Sequence, residues 1–238
     1  MDLKEEDILG DKINEHWYYV SKGRAMRSFL GDITSTEVLD VGAGSGIFSR
    51  QLLDKDICQS ALCVDPNYEA EIEELHNGKK ISFVKSIDKT TQKLVLMMDV
   101  LEHVEDDVAL LKSYANSMPD DGVVLITVPA FQFLWSGHDI FLEHYRRYDI
   151  KAIEETIIAA GLTPVKSRYF FGSLFPVIAA MRLIKNITGK KRKAGSQLKI
   201  YSDSFNKTLI TVHDMERNSL FSFNKQFGLS VFCLCRKI

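Results

Sequence analysis

The run from Val38 to Phe48, Val-Leu-Asp-Val-Gly-Ala-Gly-Ser-Gly-Ile-Phe, constrains the fold of this chain more than any other stretch. An apolar segment of strand character carries Asp40 near its end and is followed by Gly42, Gly44 and Gly46. The pattern reads as a strand, a tight turn and the start of a helix. Glycine is needed where such a turn takes positive φ values and where a ligand must come closer than a Cβ allows. The spacing also selects among ligands. A dinucleotide site follows G-x-G-x-x-G and sets backbone amides against a pyrophosphate, whereas here the place of the third glycine is taken by Ile47. A carboxylate just ahead of the glycines disfavours phosphate and suits a cationic, amine-bearing ligand.

This acidic-x-Gly-x-Gly-x-Gly run resembles the first motif of the class I S-adenosylmethionine-dependent methyltransferases. By that resemblance Asp40 lies near the amino acid end of the cofactor, while Gly42, Ala43 and Gly44 allow its close approach. A second feature stands in register with the first. Ala61-Leu-Cys-Val-Asp65-Pro66 reads as a buried strand ending in an acid, about 20 residues past the glycines, where a nucleoside ribose presents two hydroxyls. A carboxylate accepts two such hydrogen bonds well, and the family resemblance gives Asp65 this task. The two together favour a nucleoside site over an ordinary glycine turn.

Apolar runs alternate with helical stretches from Glu37 onward, and that alternation gives a parallel sheet covered on both faces. Strands are expected at 37–41, 61–65, 81–85, 93–98, 123–128, 162–170 and 228–238, with helices over 46–55, 68–76, 106–118 and 150–160. The expected fold is α/β, a doubly wound, seven-stranded Rossmann-like sheet with N-terminal helices and a helical insertion before the last strand. In the resembled family that last strand is antiparallel. The division follows as a lid over 1–35, a cofactor-binding core over 36–171, an insertion or cap over 172–227 and the closing strand over 228–238. At 238 residues and 45% hydrophobic composition the chain can bury one full core. A net charge of -2 gives no general pull toward nucleic acid. The four cysteines form no C-x-x-C pair and are expected to be reduced, in a cytoplasmic protein opening without a signal peptide.

Ligands of a doubly wound sheet bind beyond the carboxyl ends of its strands, and the remaining chemistry falls there. After the third strand, Ser86 and Asp88 both suit an adenine; the resemblance places such a contact here. After the fourth comes Met98-Asp99-Val100-Leu-Glu102-His103. In the resembled family this loop passes beneath the methionine part of the cofactor, so that Asp99, Val100 and His103 meet the cofactor while Glu102 caps or orients the loop. The spacing has an alternative. A helical turn starting near Asp99 sets Asp99, Glu102 and His103 on one face, where two carboxylates and an imidazole suit a divalent metal or a general base. A comparable acidic-x-x-Glu-His motif helps hold a metal in small-RNA 2′-O-methyltransferases and ubiquinone-pathway O-methyltransferases. Those enzymes add a histidine from after the fifth strand, where His138 and His144 stand here. The metal candidates are therefore Glu102, His103 and His138, with Asp99 standing where those enzymes have glutamate.

The segment 129–149 carries Phe131, Phe133, Leu134 and Trp135, then His138, Asp139, Glu143, His144, Arg146, Arg147 and Tyr148. Loops of this composition at the open end of a sheet contact substrate. His138 or His144, with His103 behind them, are candidates to take a proton from an acceptor hydroxyl. Arg146 and Arg147 either meet a phosphate or carboxylate or pair with Asp139, Glu143 and Asp149 to pin the loop. The arrangement resembles bacterial methyltransferases of polysaccharide and glycolipid gene neighbourhoods. Ahead of the core, His16-Trp17-Tyr18-Tyr19 and Arg24 form a candidate lid.

Tyr169 to Met181 is nearly all apolar and is followed by Arg182, Lys185, Lys190, Lys191, Arg192 and Lys193. The run is shorter than the roughly 20 residues a membrane span needs. It packs on the core, covers an apolar acceptor, or lies on a membrane surface through 172–193. The sequence reads as an S-adenosylmethionine-dependent methyltransferase acting on oxygen of a small-molecule, sugar or lipid-linked acceptor. Alternatives are metal-assisted transfer to RNA or quinone-like hydroxyls, a nicotinamide oxidoreductase, and a cofactor-binding protein without catalysis.

Overall fold

The computed structural model describes residues 8–187, 194–196 and 199–237. Its strands are β1 Ser35–Val41, β2 Cys58–Val64, β3 Ile72–His76, β4 Lys79–Val84, β5 Leu94–Met98, β6 Val123–Pro129, β7 Thr163–Phe170 and β8 Ser230–Arg236. Its helices are α1 Trp17–Leu30, α2 Ile47–Leu53, α3 Asp107–Ser117, α4 Gly137–Phe141, α5 Ile150–Ala159, α6 Phe175–Ile187 and α7 Asp203–Ser219. The sheet runs β3-β4-β2-β1-β5-β6-β8-β7. Strands β4, β2, β1, β5 and β6 are mutually parallel, and β8 enters antiparallel between β6 and β7. Central strands are apolar along their whole length because both faces are covered. Leu94–Met98 is buried at every position. One face packs on α1 and α2 through Met26, Phe29, Ile47 and Leu52, the other on α3 and α5 through Leu111, Ile153 and Ile157.

The expected helix over 68–76 is not there, and the sheet has eight strands instead of seven. Residues 72–76 form β3, antiparallel to β4 and joined to it by the two-residue loop Asn77-Gly78, with φ of 50° and 79°. Asn-Gly with two positive φ values is the favoured tight hairpin turn. It outweighs the helix propensity of the glutamates before it. As an edge strand β3 exposes Ile72 and Leu75 and carries Glu73 and Glu74, the charged kind of edge that resists pairing with other chains.

The insertion after β7 folds back on the leading helix. His213 of α7 stacks on Trp17 at 5.2 Å, Asp214 pairs with Arg24, and Asn206 accepts a hydrogen bond from the Trp17 amide at 2.7 Å. Glu216 accepts from the amides of Gly172 and Ser173 at 2.7 and 3.0 Å, fixing the exit from β7. The basic residues Lys190 to Lys193 lie outside the described residues.

The glycine turn takes the geometry its sequence implies, with φ of 64° at Gly42 and 71° at Gly46. A Cβ on Gly46 would stand 2.9 Å from Cε1 of Phe83. Gly46→Ala is therefore expected to destabilise the fold by about 1–3 kcal/mol through backbone strain and overpacking. Urea unfolding checks it; a loss under 0.5 kcal/mol would show that the turn relaxes freely.

Candidate functional site

At the carboxyl ends of β1, β2, β4 and β5 lies a cavity of about 1100 Å³, closed on one side by residues 142–145. Gly42, Asp65, Pro66, Ser86, Val100, His103 and His144 line it, together with Asn67 and Tyr114. Asp65 is buried at the end of β2, accepting from the Gly44 amide at 3.3 Å and from the Asn67 amide and side chain at 3.0 Å each. The carboxylate thus ties the glycine turn to the second strand. Tyr68 donates to the Gly44 carbonyl at 2.6 Å. Gly42 passes so close to Val100 that a Cβ would meet its Cγ2 at 2.8 Å. Ala43 is buried within the same turn. Asp40 sits behind it, 2% exposed, accepting from the Ser49 hydroxyl at 2.7 Å. Asp88 is exposed and is not part of the cavity lining.

Asp99 ends β5 at a φ of 58°, a left-handed geometry that costs a non-glycine residue about 1–3 kcal/mol. Its carboxylate faces α1. Lys22, with a fully buried side chain, forms an ion pair with it. Tyr18 donates to the same oxygen at 2.9 Å and Thr127 to the other at 3.0 Å. Burial alone would raise this carboxyl, but the Lys22 ammonium and three hydrogen bonds hold it below the usual carboxylate range. Sequence reasoning missed Lys22, whose one local signal is its i+4 spacing from Tyr18.

The expected convergence of Asp99, Glu102 and His103 is replaced by another. Leu101–His103 is a 3-10 turn, and Glu102 and His103 group with His144 and not with Asp99. One ligand atom from each of Glu102, His103 and His144 lies within 4.8 Å of the others. His138 is not in this cluster. Both carboxylate oxygens of Glu102 and the Nε2 atoms of His103 and His144 are buried without a hydrogen-bond partner. Burial, then the nearby Asp99 charge, pushes Glu102 well above the ordinary glutamate range. Burial, then His144, draws His103 down to about 4. Four unpartnered buried polar atoms at one point are rare in a folded protein.

The Pro129–Asp149 segment is organised around Asp139. This buried carboxylate accepts from His144 Nδ1 at 3.0 Å, Arg147 Nε at 2.6 Å and Nη2 at 3.1 Å, and the Ser136 amide and hydroxyl at 2.7 and 2.9 Å. With Nδ1 held by Asp139, Nε2 of His144 is the ring nitrogen left buried without a partner. Burial opposes the charge on Asp139, but His144 and Arg147 hold it far below the ordinary range. Arg146 meets Asp107 at 3.2 Å and the Glu105 carbonyl. Both arginines therefore pin the loop. His138 stands at the start of α4, drawn to about 4 chiefly by burial.

A doubly wound sheet with a glycine turn after β1, an acid closing β2 and this strand order is the class I S-adenosylmethionine-dependent methyltransferase architecture. Residues 16–167 match the methyltransferase domain family, and the chain belongs to that family. A ubiquinone biosynthesis O-methyltransferase of Yersinia enterocolitica is 30% identical over 179 residues, 66% of this chain and 73% of the relative. Another of that name, from Aliivibrio fischeri, is 28% identical over 100 residues, 38% of this chain and 43% of its own length. A solved SAM-dependent methyltransferase of Archaeoglobus fulgidus shares the fold with a TM-score of 0.56 at 18% identity, over 99% of this chain and 98% of that one.

Replacing the Asp139 charge tests the loop. Asp139→Asn is expected to destabilise the protein by about 2–4 kcal/mol at pH 7, since it leaves Arg147 buried beside a neutral group. The native-state value of Asp139 is depressed, so its contribution is complete above its ordinary value of 3.8 and is lost as pH falls toward the folded value. Denaturant unfolding at pH 7 and pH 3 should show the gap between wild type and variant closing in acid; a constant gap would contradict it.

Proposed function

We propose that this methyltransferase acts on the oxygen of a hydroxyl-bearing small molecule, sugar or lipid-linked acceptor, and that Glu102, His103 and His144 hold a divalent metal ion beside the transferred methyl group. The observation that carries the reading is the set of unpartnered buried atoms at that point. One carboxylate and two imidazoles are donors that divalent metals accept. The hydrogen bond from His144 to the Asp139 carboxylate is of the kind that orients a metal-ligating histidine. A metal ion there supplies Lewis-acid polarisation of the acceptor oxygen. The name of the Yersinia relative supports oxygen as the accepting atom.

The protein's own groups carry the remainder of this reading. Asp65 holds the ribose hydroxyls of S-adenosylmethionine, Pro66 and Ser86 border its adenosine, and Gly42, Ala43 and Gly44 let it approach the backbone. Asp40, Asp99 and Val100 border its methionine end. With His103 and His144 committed as ligands, His138 is left to receive the hydroxyl proton, and its depressed value keeps it neutral and able to accept at pH 7. Most of the acceleration comes from aligning the acceptor in line with the methyl group.

Calorimetry with S-adenosylhomocysteine and paramagnetic resonance of added manganese test the two halves separately. Asp65→Ala is expected to weaken S-adenosylhomocysteine about 10–100-fold, the loss of hydrogen bonds to a charged group. Unchanged affinity would remove Asp65 from the site. Glu102→Gln and His144→Ala are expected to abolish manganese binding while leaving S-adenosylhomocysteine within a few-fold. Burial pushes Glu102 well above the ordinary glutamate range, so a metal ion competes with its proton and affinity should fall as pH falls. Absence of manganese binding to the wild type at millimolar concentration would overturn the metal.

A further inference from the structure

The helix after β7 shows solvent an apolar face. On α6, Val177, Met181 and Ile184 are 61%, 48% and 61% exposed, at spacings that set them along one side of a helix. Leu183 is 50% exposed beside them. The inner side is already satisfied: Phe175 rests on Phe131 at 5.5 Å, Phe133 at 6.2 Å and Phe227 at 5.4 Å. Phe133 and Phe227 themselves remain 41% and 42% exposed, extending the apolar surface. A solvent-facing helix normally carries polar residues on this side, and a continuous apolar patch marks an interaction surface.

Charge identifies the partner. Between Tyr169 and Ser202 the sequence has no Asp or Glu and seven basic residues, Arg182, Lys185, Lys190, Lys191, Arg192, Lys193 and Lys199. The remainder of the chain carries 23 basic residues against 32 acidic ones. Apolar residues on one helix face, followed by a cluster of cations in an otherwise acidic protein, complement an anionic lipid surface. No helix among the described residues is long and apolar enough to cross a membrane. The surface also adjoins the site: the Arg182 charge disfavours protonation of His138, and the Gly195 amide donates to the Gly137 carbonyl at 3.1 Å.

We propose that the outer face of α6 docks this enzyme on an anionic lipid bilayer, seating the His138 side of the site toward the membrane. The interaction is independent of which hydroxyl is methylated and of the metal. Co-sedimentation with phosphatidylcholine vesicles, with and without 30 mol% phosphatidylglycerol, tests it on the full chain. Binding to the anionic vesicles is expected to exceed that to the neutral ones by about 10-fold or more, and to weaken as salt rises. Val177→Asp combined with Ile184→Asp should cut it about 10-fold while S-adenosylhomocysteine affinity stays the same, which reports that the variant is folded. Equal binding to both vesicle types, no binding to either, or a double variant that binds as the wild type does would overturn the proposal. A wild type that elutes as a dimer and a double variant that elutes as a monomer would assign the face to a second copy of the chain and overturn it as well.

Discussion

A lysine ammonium with no contact to solvent fixes where the first helix lies. Lys22 belongs to α1 and is fully buried, and Asp99, just after β5, is the acid that neutralises it. Burying both charges is tolerable only with close pairing and additional hydrogen bonds, which Tyr18 and Thr127 supply. The pair cannot slide without stranding a charge, so α1 is held over the carboxyl ends of the strands in one position. The insertion then takes its place from α1, since the Trp17–His213 stack and the Arg24–Asp214 pair both rest on that helix.

The same pair decides the chemistry next to it. Asp99 is occupied by Lys22, so the carboxylate that meets His103 and His144 without a partner of its own is Glu102, and burial followed by the Asp99 charge disfavours ionising it. Asp139, also buried, is driven the opposite way by Arg147 and His144. Two interior carboxyls pushed apart in this manner usually divide tasks in an active site. Here the carboxyl held low orients an imidazole, and the one pushed up stands where Glu102, His103 and His144 meet.

The strand, glycine turn and closing acid were legible because their signals are local: positive φ at fixed positions, an apolar run, and an acid where the strand stops. The parallel, doubly wound sheet was legible in the alternation of apolar and helical runs. The Asn77-Gly78 hairpin was equally local and was overlooked because Glu69, Glu71, Glu73 and Glu74 mimic a helix; two glutamates on an edge strand also serve to protect it. Lys22 and the choice of His144 over His138 were not legible. A buried cation is set by what faces it across 77 residues of sequence. Which of two histidines reaches Glu102 depends on how Asp139 folds the loop. An α-helical turn at Asp99 would set positions i, i+3 and i+4 on one side, and the tighter 3-10 turn changes which groups share it.

Topology explains why the insertion stands at the ligand end of the sheet. Strand β8 runs antiparallel to both neighbours, and its first residue, Ser230, pairs with Pro129 at the end of β6 and with Phe170 at the end of β7. Anything placed between β7 and β8 must leave and re-enter at that edge, which is the edge where the parallel strands finish and where such sheets bind ligands. Lengthening this connection adds little to the entropy of closing it, so the fold tolerates a long addition there. Helix α6 therefore arrives beside the ligand end without any change to the sheet, and the face proposed to meet a lipid surface and the residues proposed to meet an acceptor are placed by one strand reversal.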